Sequence, residues 1–110
     1  MARPKCLLLV DTDGARQALV RGALRRRADL VLVAASSSDA WRCLEECAVP
    51  IDWVLFDESV EGAIAFATEL RRRDPRIGIM LSIESDHDSP FQLLRKPYTE
   101  RDLWAVMGQG

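Results

Sequence analysis

The chain is short of most residue types that would announce a function. Three cysteines in 110 residues is an odd count, which excludes a complete intrachain disulfide framework and predicts reduced thiols in a cytoplasmic protein. Neither charge sign dominates: 15 basic and 17 acidic side chains leave a net charge of −2, without the basic excess that nucleic-acid binding requires. No apolar run approaches the roughly 18 residues of a membrane span. The opening apolar run, Cys6 to Val10, is too short for a secretory signal core. Gly-x-Gly-x-x-Gly, P-loop, Cys-x-x-Cys and Gly-x-Ser-x-Gly motifs are all missing, which argues against dinucleotide, nucleotide, thioredoxin-like and hydrolase sites. There is no internal repeat, linker or low-complexity stretch. What is present, 48% hydrophobic and 29% charged residues, predicts a single globular domain over 1–110.

Short apolar runs alternate with longer amphipathic ones. Cys6–Val10 stops at Asp11, Leu30–Ala34 is rich in valine, Trp53–Phe56 stops at Asp57, and Ile77–Leu81 stops at Ser82. A weaker run, Phe91–Arg95, ends in Lys96-Pro97. Continuous apolar runs of this length suit strands covered on both faces, as in a parallel sheet. Between them lie helical periods. Ala15, Leu19, Ala23 and Leu24 predict a helix over 14–27, with its arginines on the other faces and at its C-terminal end. Ser36 to Asp39 offers caps for a helix burying Ala40, Cys43, Leu44 and Cys47, an i, i+3, i+4, i+7 set. Ala63, Phe66, Ala67 and Leu70 repeat the pattern. Thr99 and Asp102 predict a reciprocal cap for a last helix that turns Leu103, Val106 and Met107 inward. Ile83 to Pro90 has no apolar period, so a loop with at most one turn is expected there. The order predicts an α/β doubly wound parallel sheet with helices on both faces.

Ligands of open parallel sheets bind beyond the carboxyl ends of the strands. Asp11, Asp57, Ser82 and Lys96 all fall at that edge, from four distant segments. With these residues, and with Leu8-Leu9-Val10-Asp11, Trp53-Val54-Leu55-Phe56-Asp57, Met80-Leu81-Ser82 and Lys96-Pro97 before an amphipathic helix, the chain resembles the receiver domains of two-component response regulators. The resemblance runs from Lys5 to Met107. It implies a five-stranded, flavodoxin-like sheet of order 2-1-3-4-5. It implies that Asp57 accepts a phosphoryl group from a histidine kinase or phosphotransfer protein. Mg²⁺ would be held by Asp11, Asp57 and the backbone carbonyl of Ser59, and the phosphoryl oxygens by Ser82 and Lys96. Such a domain is not an enzyme beyond its own phosphorylation and dephosphorylation, and it signals to a downstream protein partner as a monomer or weak homodimer, without binding nucleic acid or membrane. Because only three residues follow Met107, a stand-alone module acting through protein contacts is expected.

The departures from that pattern are specific. Thr12 stands where the family has a second strand-end acid, so Mg²⁺ binding is weakened or lost unless Asp13 substitutes as a ligand. Val60-Glu61 replaces the usual Met-Pro, Ile83 a small residue, and Leu93 the switch aromatic. The helix between strands four and five is shortened or replaced by a loop. These features support a second reading, a pseudo-receiver that serves as a phosphorylation-independent interaction module. A third follows from Asp11-Thr12-Asp13-Gly14, which resembles the opening motif of haloacid-dehalogenase-like phosphatases, with Asp11 as nucleophile and Asp13 as acid/base; it leaves Asp57 without a role. Cys43 and Cys47 are expected in the core, His87 in a solvated loop, Arg25–Arg27 and Arg71–Arg73 as solvated helix ends, and Trp41 and Trp104 beside their helices' apolar stripes.

Overall fold

A computed structural model of the chain describes residues 4–108; residues 1–3 and 109–110 of the expected 1–110 domain lie outside the described residues. The strands are β1 (Cys6–Val10), β2 (Leu30–Ala34), β3 (Trp53–Asp57), β4 (Gly78–Ile83) and β5 (Gln92–Arg95). The helices are α1 (Gly14–Arg26), α2 (Ser37–Glu46), α3 (Ala63–Arg73) and α4 (Glu100–Met107). All strand pairings are parallel, in the order β2-β1-β3-β4-β5, as expected. No described helix is long and apolar enough to cross a membrane.

The continuous apolar runs have a simple cause. Successive residues of a strand point to opposite faces, and each face here carries its own core. Cys6, Leu8 and Val10 of β1 join Val54, Phe56, Ala40, Phe66, Ala67 and Leu70 under α2 and α3. Leu7 and Leu9 join Leu55, Met80, Val20, Ala23, Leu24 and Leu103 under α1 and α4. The expected stripe of α3 and the Thr99–Asp102 capping box of α4 are both present. Ser36 caps α2, accepting from the Asp39 amide, and Cys43 and Cys47 pack half-buried against the core.

Three expectations need correction. The buried stripe of α1 is Val20, Ala23 and Leu24, while Ala15 is exposed and Leu19 half-buried. Projected one turn towards the N-terminus, that stripe reaches Arg16, which therefore lies on the sheet-facing side. Strand β4 extends one residue past Ser82, because Ile83 stays paired with Arg95. The arginine triplets are also more than solvated ends. Arg27 lies 4.1 Å from the centre of the Trp104 ring, Arg73 4.7 Å from Trp41 and Arg71 4.3 Å from Phe91, and Arg26 pairs with Glu100 across α1 and α4. Trp104 itself is buried.

Residues 84–91 form the expected loop in place of a helix. The loop is held by side chains: Arg71 donates to the Pro90 carbonyl at 2.9 Å, and His87 Nε2 meets Glu58 at 2.5 Å. His87 is thus tethered to the turn after β3. Its hydrogen bond to the Asp88 backbone and then its contact with Glu58 push its pKa upward.

Two backbone positions generate predictions. Gly78 pairs with Trp53 across β3 and β4, and a Cβ there would sit 2.4 Å from the indole, so the bare strand is what lets the ring lie flat. Gly78→Ala should displace Trp53 and destabilise the fold by about 1–3 kcal/mol, read as a lower urea midpoint with altered tryptophan fluorescence. Helix α1 ends in a Schellman motif, with Asp29 N–H bonded to Leu24 and Ala28 N–H to Arg25. Ala28 there has φ +60°, a conformation that favours glycine. Ala28→Gly should therefore raise stability, by about 1 kcal/mol, measurable in the same titration.

Candidate functional site

Parallel register carries four polar side chains to one edge. Asp57 ends β3 opposite Ser82 of β4, and the Ser82 hydroxyl donates to Asp57 Oδ1 at 3.0 Å. Lys96 follows β5, its amide bonded to the Ile83 carbonyl, and its Nζ donates to the same Oδ1 at 2.8 Å. The Lys96–Pro97 peptide is cis. From the turn after β3, Ser59 Oγ donates to Asp57 Oδ2 at 2.5 Å. Both oxygens of Asp57, a residue only 1% exposed, are therefore engaged.

Burial alone pushes the Asp57 carboxyl up, but hydrogen bonds from Lys96, Ser59 and Ser82 and the Lys96 charge outweigh it and leave it below the ordinary carboxylate value. Burial likewise works against the charge on Lys96, whose contacts with Asp57 and Glu84 nevertheless hold its pKa above the usual one. At neutral pH the site is an ion pair.

Arg16 completes the site, and the sequence reading missed it. From the third position of α1, its Nε donates to Asp11 Oδ2 at 2.7 Å and its Nη2 to Asp11 Oδ1 at 3.1 Å. The same Nη2 lies 3.5 Å from Asp57 Oδ2, so one guanidinium bridges the two carboxylates. Its pKa is raised, chiefly by the hydrogen bond to Asp11. Two signals could have revealed it. Arg16 precedes Val20 and Ala23 by four and seven residues, and so shares their face. It is also a cation in the first turn of a helix, against the dipole, where it requires a nearby anion.

The remaining candidates fall elsewhere. Asp13 caps α1, its Oδ2 accepting from the Arg16 amide at 2.8 Å, while its own amide donates to Asp11 Oδ1. Asp11 is fully buried, and its carboxylate is engaged by Arg16 and the Asp13 amide. Thr12 is exposed. Ile83 is buried beside Ser82, and Leu93, at the switch-aromatic position, is half-buried against the core. The Tyr98 hydroxyl is buried without a hydrogen-bond partner; burial, then the nearby Asp11 charge, pushes its pKa up.

Mg²⁺ prefers near-octahedral oxygen coordination and keeps several waters. The acidic ligands on offer are Asp11, already forked by Arg16, and Asp57, which holds Lys96, Ser82 and Ser59. Mg²⁺ needs only one or two protein carboxylates, but both of these are engaged, and among the described residues no group of three or more Asp, Glu, His or Cys side chains gathers to supplement them. The donor set does not fit the ion.

No family model matches the sequence, and neither does any curated protein. Solved structures do match the fold. A response regulator from Thermotoga maritima superposes with a TM-score of 0.82 at 17% identity, over 97% of each chain. The chemotaxis response regulator CheY4 of Vibrio cholerae gives 0.80 at 16%, over 97% of this chain and 98% of that one. A response regulator receiver domain protein from Clostridium thermocellum gives 0.78 at 21%, over 94% and 91%. The chain thus has the α/β fold of response-regulator receiver domains.

Proposed function

We propose that the chain is a receiver-type module of a two-component phosphorelay and that Asp57 is its phosphoacceptor. The observation that carries this reading is the convergence of Lys96 and Ser82 on one oxygen of a buried strand-end carboxylate. A phosphoryl group brings more negative charge to an anion, and fixed cations and donors around the acceptor offset that repulsion. In the transfer, an Asp57 oxygen attacks the phosphorus of a phosphohistidine. The P–O bond forms as the P–N bond breaks, and its electron pair leaves on the imidazole, which takes a proton. Lys96 and Ser82 then turn their hydrogen bonds to the phosphoryl oxygens. The upstream partner is a histidine kinase or phosphotransfer protein of the cytoplasm, and the downstream partner is another protein.

A second reading, an interaction module that needs no phosphate, is favoured by one observation: the carboxylate is 1% exposed and its oxygens are already bonded. Labelling with acetyl phosphate and locating the product by mass spectrometry separates the two. Acyl phosphate on Asp57, absent from Asp57→Asn and reduced on the order of 100-fold in Lys96→Ala, is the result expected of the acceptor. A folded protein that takes no label, and whose partner binding survives Asp57→Asn, belongs to the second reading.

The pKa directions predict the pH profile. With Asp57 lowered and Lys96 raised, the carboxylate remains ionised below, and the ammonium protonated above, their ordinary limits. The labelling rate should be flat between about pH 5 and pH 9. A rate that falls through pH 7 would show that another group controls the step.

A further inference from the structure

The acidic pocket of this chain lacks one charge and gains another. Thr12 leaves the strand-one edge with a single buried carboxylate, Asp11, next to Asp57. Four residues beyond Thr12, Arg16 brings a guanidinium to both. The two features belong together. Two ionised carboxylates side by side in a buried site repel each other unless a cation is shared between them. Nη2 of Arg16, 3.1 Å from Asp11 and 3.5 Å from Asp57, is such a shared cation.

We infer that Arg16 occupies the place of a divalent cation, so that the pocket is a self-contained charge cluster that neither binds Mg²⁺ nor needs it. The two buried carboxylates, Asp11 and Asp57, are matched one for one by Arg16 and Lys96, with the more exposed Asp13 and Glu84 on the outer side of the same two cations, and a divalent ion set between the buried carboxylates would face two fixed cations. Arginine suits the post because its charge is not lost at any accessible pH and its planar fork grips a carboxylate with two parallel bonds. The fork here is held from below as well: the Arg16 amide is tied to Asp13, and the Gln17 side chain donates to the Asp11 carbonyl at 2.8 Å. The base and the tip of the side chain are thus anchored to the same turn. For phosphoryl transfer, which rests on Asp57 being the acceptor, the guanidinium supplies from within the chain the positive charge that faces the incoming phosphoryl oxygens.

Thermal unfolding with excess Mg²⁺ and with chelator tests the cation directly, without reference to phosphorylation. The wild-type midpoint should be the same in both conditions, and Mn²⁺ should not broaden the Asp57 amide resonance. Arg16→Ala leaves two buried carboxylates against one lysine, so its midpoint in chelator should fall by about 5–10 °C and recover when Mg²⁺ is added. Adding Thr12→Asp should enlarge the Mg²⁺ response. If Arg16→Ala does not fold in chelator, folding on addition of Mg²⁺ is the equivalent result, and Arg16→Gln provides a second uncharged variant. A wild-type midpoint raised by Mg²⁺, Mn²⁺ broadening at Asp57 in the wild type, or uncharged variants indifferent to Mg²⁺ would each overturn the inference. Acetyl phosphate labelling adds the second arm: Asp57 should label equally in chelator and in Mg²⁺, and labelling that requires Mg²⁺ refutes metal independence. No label in either condition, with the melting pattern as expected, counts against the acceptor reading and leaves the cation assignment standing.

Discussion

Two carboxylates buried side by side at the end of a parallel sheet set the terms for this structure. Asp11 and Asp57 are 0% and 1% exposed, and taking an ion out of water costs on the order of several kcal/mol. In that setting solvent does not support the charge. Each must be met by donors from other elements, and those elements are thereby brought together: α1 through Arg16, β4 through Ser82, the turn after β3 through Ser59, and the chain beyond β5 through Lys96. The cluster ties distant segments at the edge where ligands of parallel sheets bind. A buried ion pair is a weak source of net stability, so what the cluster visibly does is fix where these segments meet.

Much of this was legible in the sequence because strand ends are sharp. Apolar runs stop at Asp11, Asp57 and Ser82, and the parallel topology makes those stops neighbours. The interior of α3 and the caps of α2 and α4 were equally readable, since their apolar spacing and cap residues point to the same boundaries. Arg16 was not readable by apolar periodicity because that method counts hydrophobic residues and passes over an arginine on the buried face. The phase of α1 was misjudged for the same reason. Ala15 and Leu19 form a plausible stripe on paper, but Val20 is the residue fully buried in the core that holds Leu7, Leu9 and Leu55, and Arg16, one turn earlier on that face, reaches the strand-end carboxylates. The roles of the arginine triplets were hidden differently: a cation lying on an aromatic ring depends on which helices are adjacent, and that is a tertiary fact.

The loop at 84–91 shows how a sheet can dispense with a covering helix. Ile83 and Phe91 remain buried on the α2–α3 side although no helix lies between β4 and β5 in the chain. Arg71, at the end of α3, covers Phe91 and bonds the Pro90 carbonyl, so one long side chain supplies both apolar contact and a hydrogen bond. Arginine can do this because its stem and guanidinium face are weakly hydrated while its N–H groups remain available. The adjoining surface is built differently from one formed by a regular helix: it presents Glu84, Asp86, His87 and Asp88 on irregular backbone.

That difference bears on how a change at Asp57 would reach a partner. Lys96 contacts Glu84 at 3.3 Å as well as Asp57 at 2.8 Å, and Glu84 opens the loop. On the other side of the site, Glu58 follows Asp57 directly and holds His87 within the same loop. The loop is therefore joined to the pocket at two points, each one residue or one side chain from the carboxylate. Lys96 thus divides its ammonium between the carboxylate and the first residue of the loop. The position of the usual switch aromatic is filled by Leu93, half-buried and unable to donate a hydrogen bond. What links the pocket to the face where the helix is missing is instead a pair of charged contacts, Lys96 with Glu84 and Glu58 with His87.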